Sequence, residues 1–179
     1  MSDDGSAILG GIRDVVQSED GAIHLDETDM ALLRALVEDG RISQRQLSVK
    51  LGVSAPTVSE RMTRLERSGV IRGYSADINW AAVGYGQIVY LSIRAATGSD
   101  VSDVMARLWE VPEVEEMSVV TGDLDLLAKL RVEDYNHLRQ VLMDSVWQIA
   151  GIQTTSTMLS IAQMPPKNFA TELISRRRN

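Results

Sequence analysis

The chain has 179 residues, room for one or two domains that each bury a core. It contains no cysteine, which excludes disulfides and thiolate metal sites. No apolar run approaches the ~18 residues of a membrane span, and the opening lacks the positive region of a targeting peptide, so a cytoplasmic location is expected. The net charge of −7 argues at first against a nucleic-acid partner. Its distribution matters more. Residues 41–72 hold seven arginines and lysines against two glutamates, a local balance of +5, so the rest sums to −12. A basic island in an acidic chain suits a protein that presents one face to DNA. The island is modest, so strong binding would need more than one copy of it.

Residues 1–23 are acidic and glycine-containing; a poorly ordered extension is expected, with Ile8 to Val16 able to form a short helix. The first firm helix opens at Leu25-Asp26-Glu27-Thr28-Asp29, with acidic residues at its positive end. Met30, Leu32, Leu33, Leu36 and Val37 form its apolar side, and Gly40 ends it. Ser43 can cap the next helix, with Gln46 completing a capping box. Leu47, Val49 and Leu51 give that helix an apolar side, and Gly52 stands where a left-handed residue would end it. Ser54 then sits as an N-cap with Pro56 in the first turn. Val58, Met62 and Leu65 recur at helical spacing as a buried stripe. The opposite face carries Pro56, Thr57, Ser59, Glu60, Thr63, Arg64 and Arg67, which are hydrogen-bonding side chains and long cations. Helix, tight turn, helix with such a face reads as a helix-turn-helix whose recognition helix spans 54–67. The plainer alternative is a helical hairpin with a solvated face.

Gly69 stops that helix, and a strand is expected at 70–77. Residues 79–86 hold two glycines and read as a linker or hinge. Periodicity then changes. Strands are expected at 87–95, 114–120, 124–132 and 152–161, and helices at 101–109 and 133–147. The second of these helices has Tyr135, Leu138, Leu142 and Val146 on one side. The order β-α-β-β-α-β is that of a ferredoxin-like domain. The fold class is thus α+β: a winged helix-turn-helix domain at 24–78 and a ferredoxin-like domain at 87–163. Pro165-Pro166 end it, and a basic tail at 164–179 finishes with Arg176-Arg177-Arg178. Met105, Met117, Met143 and Met158 are expected in the core, and Trp109 and Trp147 inside or at a protomer interface.

The residues also carry a family pattern. Its pieces are Leu25-Asp26-Glu27-Thr28-Asp29, Asp39-Gly40-Arg41, Leu51-Gly52-Val53-Ser54, Thr57-Val58 with Arg61, Leu65-Glu66 with Gly69-Val70-Ile71, and Gly73-Tyr74. Later come Val120-Thr121-Gly122-Asp123-Leu124-Asp125, and Gly151-Ile152 with Thr155 and Thr157. In order and spacing the chain resembles the Lrp/AsnC, or feast/famine, transcriptional regulators from about Leu25 to Ile161. The extension and the basic tail depart from that pattern. The resemblance implies a DNA-binding domain joined to an amino-acid-binding regulatory domain. It implies dimers that assemble further, commonly to octamers, with two helix-turn-helix units in successive major grooves and the strand at 70–77 helping to join protomers.

For DNA the candidates are Ser54, Thr57, Ser59, Glu60 and Arg64, with Ser43, Ala55 and Pro56 beside them. Arg45 and Lys50 are candidate backbone contacts. Arg61 lies near the edge of the buried stripe, and a phosphate contact and a structural ion pair both stay open for it. Glu60 either reads a cytosine amino group or pairs with Arg64. For an amino-acid effector the candidates are Thr121, Gly122, Asp123, Leu124 and Asp125, with Met117 and Val119 before the turn and Thr155 and Thr157 on the last strand. Gly122 would let the backbone approach, and Asp123 or Asp125 would meet an ammonium. The plainer readings are an ordinary hairpin turn and threonines that simply favour strands. His24 and His137 have no metal-ligand spacing around them, and no phosphate loop or nucleophile elbow is present. No metal, cofactor or enzyme activity is expected. Two alternatives remain: a DNA-binding or architectural regulator without an effector, and a tetrapyrrole-processing decarboxylase, since some of these resemble the family in both halves. The latter would need catalytic histidine or arginine in the second half, where His137 is the one histidine.

Overall fold

The computed structural model describes residues 23–164, with Phe169 and Ile174. The expected helix at Ile8 to Val16, Pro165-Pro166 and the arginine tail lie outside the described residues. The chain divides between Asp77 and Ile78 into two compact units.

In the first unit, α1 (Glu27–Glu38) starts at the N-cap Asp26, whose carboxylate accepts the Asp29 amide while Asp29 accepts that of Asp26. The two side chains close a reciprocal capping box that satisfies two otherwise orphaned donors. Helix α2 (Gln44–Leu51) repeats the device with Ser43 and Gln46, and ends at Gly52 with φ of 66°. Helix α3 (Ala55–Arg67) is capped by Ser54, with Pro56 in its first turn. Leu32, Ala35, Leu47, Val58 and Leu65 form the core, with Met62, Val70 and Ile71 packed against it.

Three expectations fail here. Val49 is 79% exposed. It lies two residues from both Leu47 and Leu51, and residues at that spacing do not share a helix face. Val37 is likewise at the surface, while Ala35 is buried in its place. The strand expected at 70–77 is also absent. Gly69 has φ of 71° and the Ile71 amide donates back to the Leu65 carbonyl, so the chain turns onto its own core. The residues after it form no strand: a ladder needs a neighbouring strand, and the one sheet among the described residues is in the other unit.

The second unit is a four-stranded antiparallel sheet in the order β2-β3-β1-β4, built from β1 (Gln87–Ala95), β2 (Val114–Val119), β3 (Leu126–Val132) and β4 (Ile152–Leu159). Helix α4 (Val101–Trp109) follows β1, and a helical stretch from Tyr135 follows β3. That is the ferredoxin-like arrangement. Val89, Leu91 and Ile93 of β1 and Leu126, Ala128, Leu130 and Val132 of β3 join Val104, Leu108, Leu138, Leu142 and Val146 in one core.

The last helical stretch is not one α-helix. It runs as α5 (Tyr135–Gln140), a π turn over Val141–Ser145 and a 3-10 turn over Val146–Gln148. Leu138, Leu142 and Val146 recur at strict fours, which drift off one face of a 3.6-residue helix; the wider turn returns Val146 to the core. Tyr135, expected inward, is 69% exposed because it is the first helical residue, a turn before the helix meets the core at Leu138. Met143 and Met158 are also exposed, against expectation. Met143 follows Leu142 and so points away from it. Met158 stands opposite Tyr90, on the sheet face that the helices do not cover. Met105 and Met117 do pack against the core. Trp109 and Trp147 are both about half exposed in the single chain.

Candidate functional site

Pro56, Ser59, Glu60, Thr63, Arg64 and Arg67 line one open trough along α3. Their neighbours Ser54 and Thr57 are turned to local work. The Ser54 hydroxyl accepts the Thr57 amide at 3.2 Å and lies 2.8 Å from the Thr57 hydroxyl. Ser43 is occupied in the same way by Gln46. Ala55 and Arg45 are exposed.

The charged residues divide in a way the chain order hides. Arg61 Nη1 donates to Asp26 at 2.6 Å and to Asp29 at 2.8 Å. Arg64 Nη2 donates to the other oxygen of Asp29. Asp29 is fully buried, and Arg64 stays about half exposed. The Arg61 guanidinium holds the Asp26 carboxyl down at a pKa of about 2. Burial pushes Asp29 up, but the bonds from Arg64, the Asp26 amide and Arg61 outweigh it and leave its pKa lowered. Lys50 pairs with Glu38 at 2.7 Å, an exposed contact of small energetic weight. Three of the seven island cations therefore face carboxylates of the first helix or its cap. Arg41, Arg45, Arg67 and Arg72 have no ion pair among the described residues. A charge window starting at residue 41 leaves those carboxylates out. Asp29 was missed for this reason, although its spacing of three from Asp26 was a visible capping signal.

In the second unit, Thr121-Gly122-Asp123 turns between β2 and β3, and Gly122 has φ of 121°. Asp125 closes this turn. Its carboxylate accepts the Ala95 amide at 2.7 Å, its carbonyl accepts the Val120 amide and its amide donates to the Ile93 carbonyl. The Asp123 carbonyl accepts a bond from Arg94 Nη2 at 2.5 Å. The Asp123 side chain, Thr121 and Leu124 are exposed. Met117 and Val119 are on β2, at one edge of the sheet. Thr155 and Thr157 are on β4, at the other edge. Three strand spacings separate these edges, roughly 14 Å. The two sets share the helix-covered side of the sheet, because Met117 pairs with Ala128 and Thr157 with Leu91, both core residues. The Trp147 indole N–H donates to the Thr155 hydroxyl at 3.3 Å. Among the described residues no group of His, Asp or Glu is arranged to hold a metal ion, and no helix is long and apolar enough to cross a membrane.

Comparison with known proteins agrees with this division. Residues 25–72 match the winged helix-turn-helix DNA-binding model, and residues 88–168 match the Lrp/AsnC ligand binding domain. The chain is 34% identical over 146 residues to the leucine-responsive regulatory protein of Salmonella typhimurium, covering 80% of this chain and 89% of that one. A transcriptional regulator of Neisseria meningitidis, solved in complex with L-Met, superposes with a TM-score of 0.75 at 25% identity, over 80% of this chain and 94% of that one. The feast or famine regulatory protein of M. tuberculosis complexed with L-methionine superposes with a TM-score of 0.74 at 31% identity, over 80% and 96%. The chain belongs to the Lrp/AsnC family, as a DNA-binding transcriptional regulator with that family's ligand-binding domain.

Proposed function

We propose that the protein is a cytoplasmic regulator of amino-acid metabolism whose DNA binding or assembly responds to a bound amino acid. Two copies of α3 enter successive major grooves. Ser59, Glu60, Arg64 and Arg67 face the bases and phosphates, while Ser43, Ser54, Ala55, Pro56, Thr57 and Arg61 set the geometry around them. Arg45 reaches the DNA backbone from α2. The modest charge left unpaired around α3 favours binding by more than one copy.

The observation that carries the effector reading is the placement of its two residue sets. Met117 and Val119 stand at one edge of the sheet and Thr155 and Thr157 at the other, while the turn Thr121–Asp125 is bonded to the end of β1 between them. One amino acid does not span roughly 14 Å of sheet. A site that uses Met117 or Val119 together with Thr155 or Thr157 is built between copies of the chain, with the turn Thr121–Asp125 beside it. A ligand held that way favours one assembly over another, which is what allostery requires. The half-exposed Trp109 and Trp147 and the exposed Leu159 support a homodimer that assembles further, an octamer by family resemblance. The exposed Asp123 carboxylate serves the ligand ammonium, since that of Asp125 is already engaged.

The test is a titration of each amino acid, methionine and leucine first, read as DNA affinity and as particle mass by light scattering. A shift of either with one amino acid is expected. No shift with any of them leaves a DNA-binding regulator without an effector.

A further inference from the structure

We infer that Asp29 is a positioning residue that makes Arg64 a reader of DNA sequence instead of a general binder of phosphate. The inference rests on the proposed role of α3 in DNA binding.

Three observations carry it. First, the Asp29 carboxylate is enclosed and bonded from several sides. It is fully buried, and its Oδ2 also accepts the Asp26 amide at 3.0 Å in the capping box. It anchors Arg64 and does not follow it. Second, Arg64 is bound to Asp29 through one nitrogen and remains about half exposed in the trough with Ser59, Glu60, Thr63 and Arg67. A guanidinium has five N–H donors in a rigid fork, so an arginine held at one corner still offers donors to a base edge or phosphate. Third, the four charges of Asp26, Asp29, Arg61 and Arg64 sum to zero within one bonded cluster. Attraction of any duplex, whatever its sequence, follows the uncompensated positive charge that displaces counterions. The cluster adds nothing to that term. What Arg64 contributes is therefore a fixed donor pattern, with its side-chain freedom already restricted before DNA arrives.

Replacing Asp29 reverses both effects. Asp29→Asn leaves one positive charge per protomer uncompensated and frees the Arg64 side chain. Duplexes of about 30 bp, long enough for two half-sites one turn apart, serve as probes: one of random sequence and one enriched by the wild-type protein from a randomised library. With Asp29→Asn, affinity for the random duplex rises. Its dependence of log affinity on log salt steepens by about 0.9 per protomer. The ratio of specific to random affinity falls roughly fivefold to a hundredfold, the discrimination of one good bidentate contact. A mere loss of stability moves neither the salt slope nor that ratio in the folded fraction, which circular dichroism measures alongside. Should Asp29→Asn fail to fold, Arg64→Lys decides. It keeps the charge and loses the fork, so random binding stays and enriched-duplex binding falls. A wild type that enriches no sequence overturns the proposed function, and this inference with it. A wild type that does enrich one, while Asp29→Asn keeps the salt slope and ratio or Arg64→Lys binds the enriched duplex as well as wild type, overturns the inference alone.

Discussion

Arg61 Nη1 reaches the Asp26 carboxylate at 2.6 Å, joining residues 35 apart in sequence and pinning the recognition helix to the N-cap of the first helix. The pair links stability of the DNA-binding unit to acid. Asp26 has its pKa lowered to about 2, against roughly 3.9 in an unfolded chain. A depressed carboxylate stabilises the fold above its unfolded value and loses that contribution as pH falls through its folded value. The melting temperature of this unit should therefore hold from neutral pH to about 5 and fall between about 4 and about 2. Asp29, shifted the same way, adds to the effect. Asp26→Asn should start lower at neutral pH and fall less steeply. Melts followed by circular dichroism across that range check it, and parallel pH curves for the two proteins would contradict it.

Leu65 closes the core of the same unit, with no exposed surface beside Val58, Leu47 and Leu32. Leu65→Ala removes three buried carbons from a site whose neighbours sit on three short helices and collapse only partly. A loss of about 2–5 kcal/mol is expected in urea unfolding. Val49→Ala, at an exposed position on α2, should change stability by less than about 0.5 kcal/mol. Equal effects from the two would mean that the core has been placed on the wrong side of α2.

How far the sequence revealed all this depended on whether the signal was local. Ser43 with Gln46, Gly52 and Ser54 with Pro56 are cap signals fixed by a few neighbouring residues, and each does what its chemistry dictates. The bounds of β1 and α4 were legible for the same reason. The failures were non-local. Nothing near residues 70–77 says whether a strand will meet them. Nothing near Met158 says which face of a sheet lies bare. Arg64 and its carboxylate are 35 residues apart, and the +5 of the island counted one without the other. The separation of Met117 from Thr155 needed the strand order, which no single strand encodes.

Arg64→Ala should weaken binding to the enriched duplex about tenfold, the cost of one good base contact. It should leave particle mass unchanged, because α3 belongs to a different compact unit from the half-exposed Trp109 and Trp147. Asp29 then keeps Arg61 as its one guanidinium partner, so a lower melting temperature is expected too. Fluorescence anisotropy and light scattering on the same sample separate the outcomes. Loss of the oligomer would mean that the helix has been assigned to the wrong surface.

Gly122 offers the cleanest test of the effector turn. A Cβ built there meets nothing within 4 Å, so crowding does not forbid a side chain. Its φ of 121° does, because β-branched residues rarely adopt that backbone and the strain amounts to about 1–3 kcal/mol. Gly122→Val should therefore distort the turn at Thr121–Asp125 while the sheet survives, held by the pairing of β1 with β3 and β4. A thermal-shift screen of the twenty amino acids on both proteins reads the consequence. A ligand at a hundred times its dissociation constant adds about 2.7 kcal/mol to the wild type. For a domain of this size that raises the melting temperature by roughly 4–8 °C per kcal/mol. The variant should melt a few degrees lower without ligand and show little or none of the ligand-dependent rise. A rise as large as that of wild type would remove this turn from the binding site and leave Thr155 and Thr157, with Trp147 beside them, as the place to look.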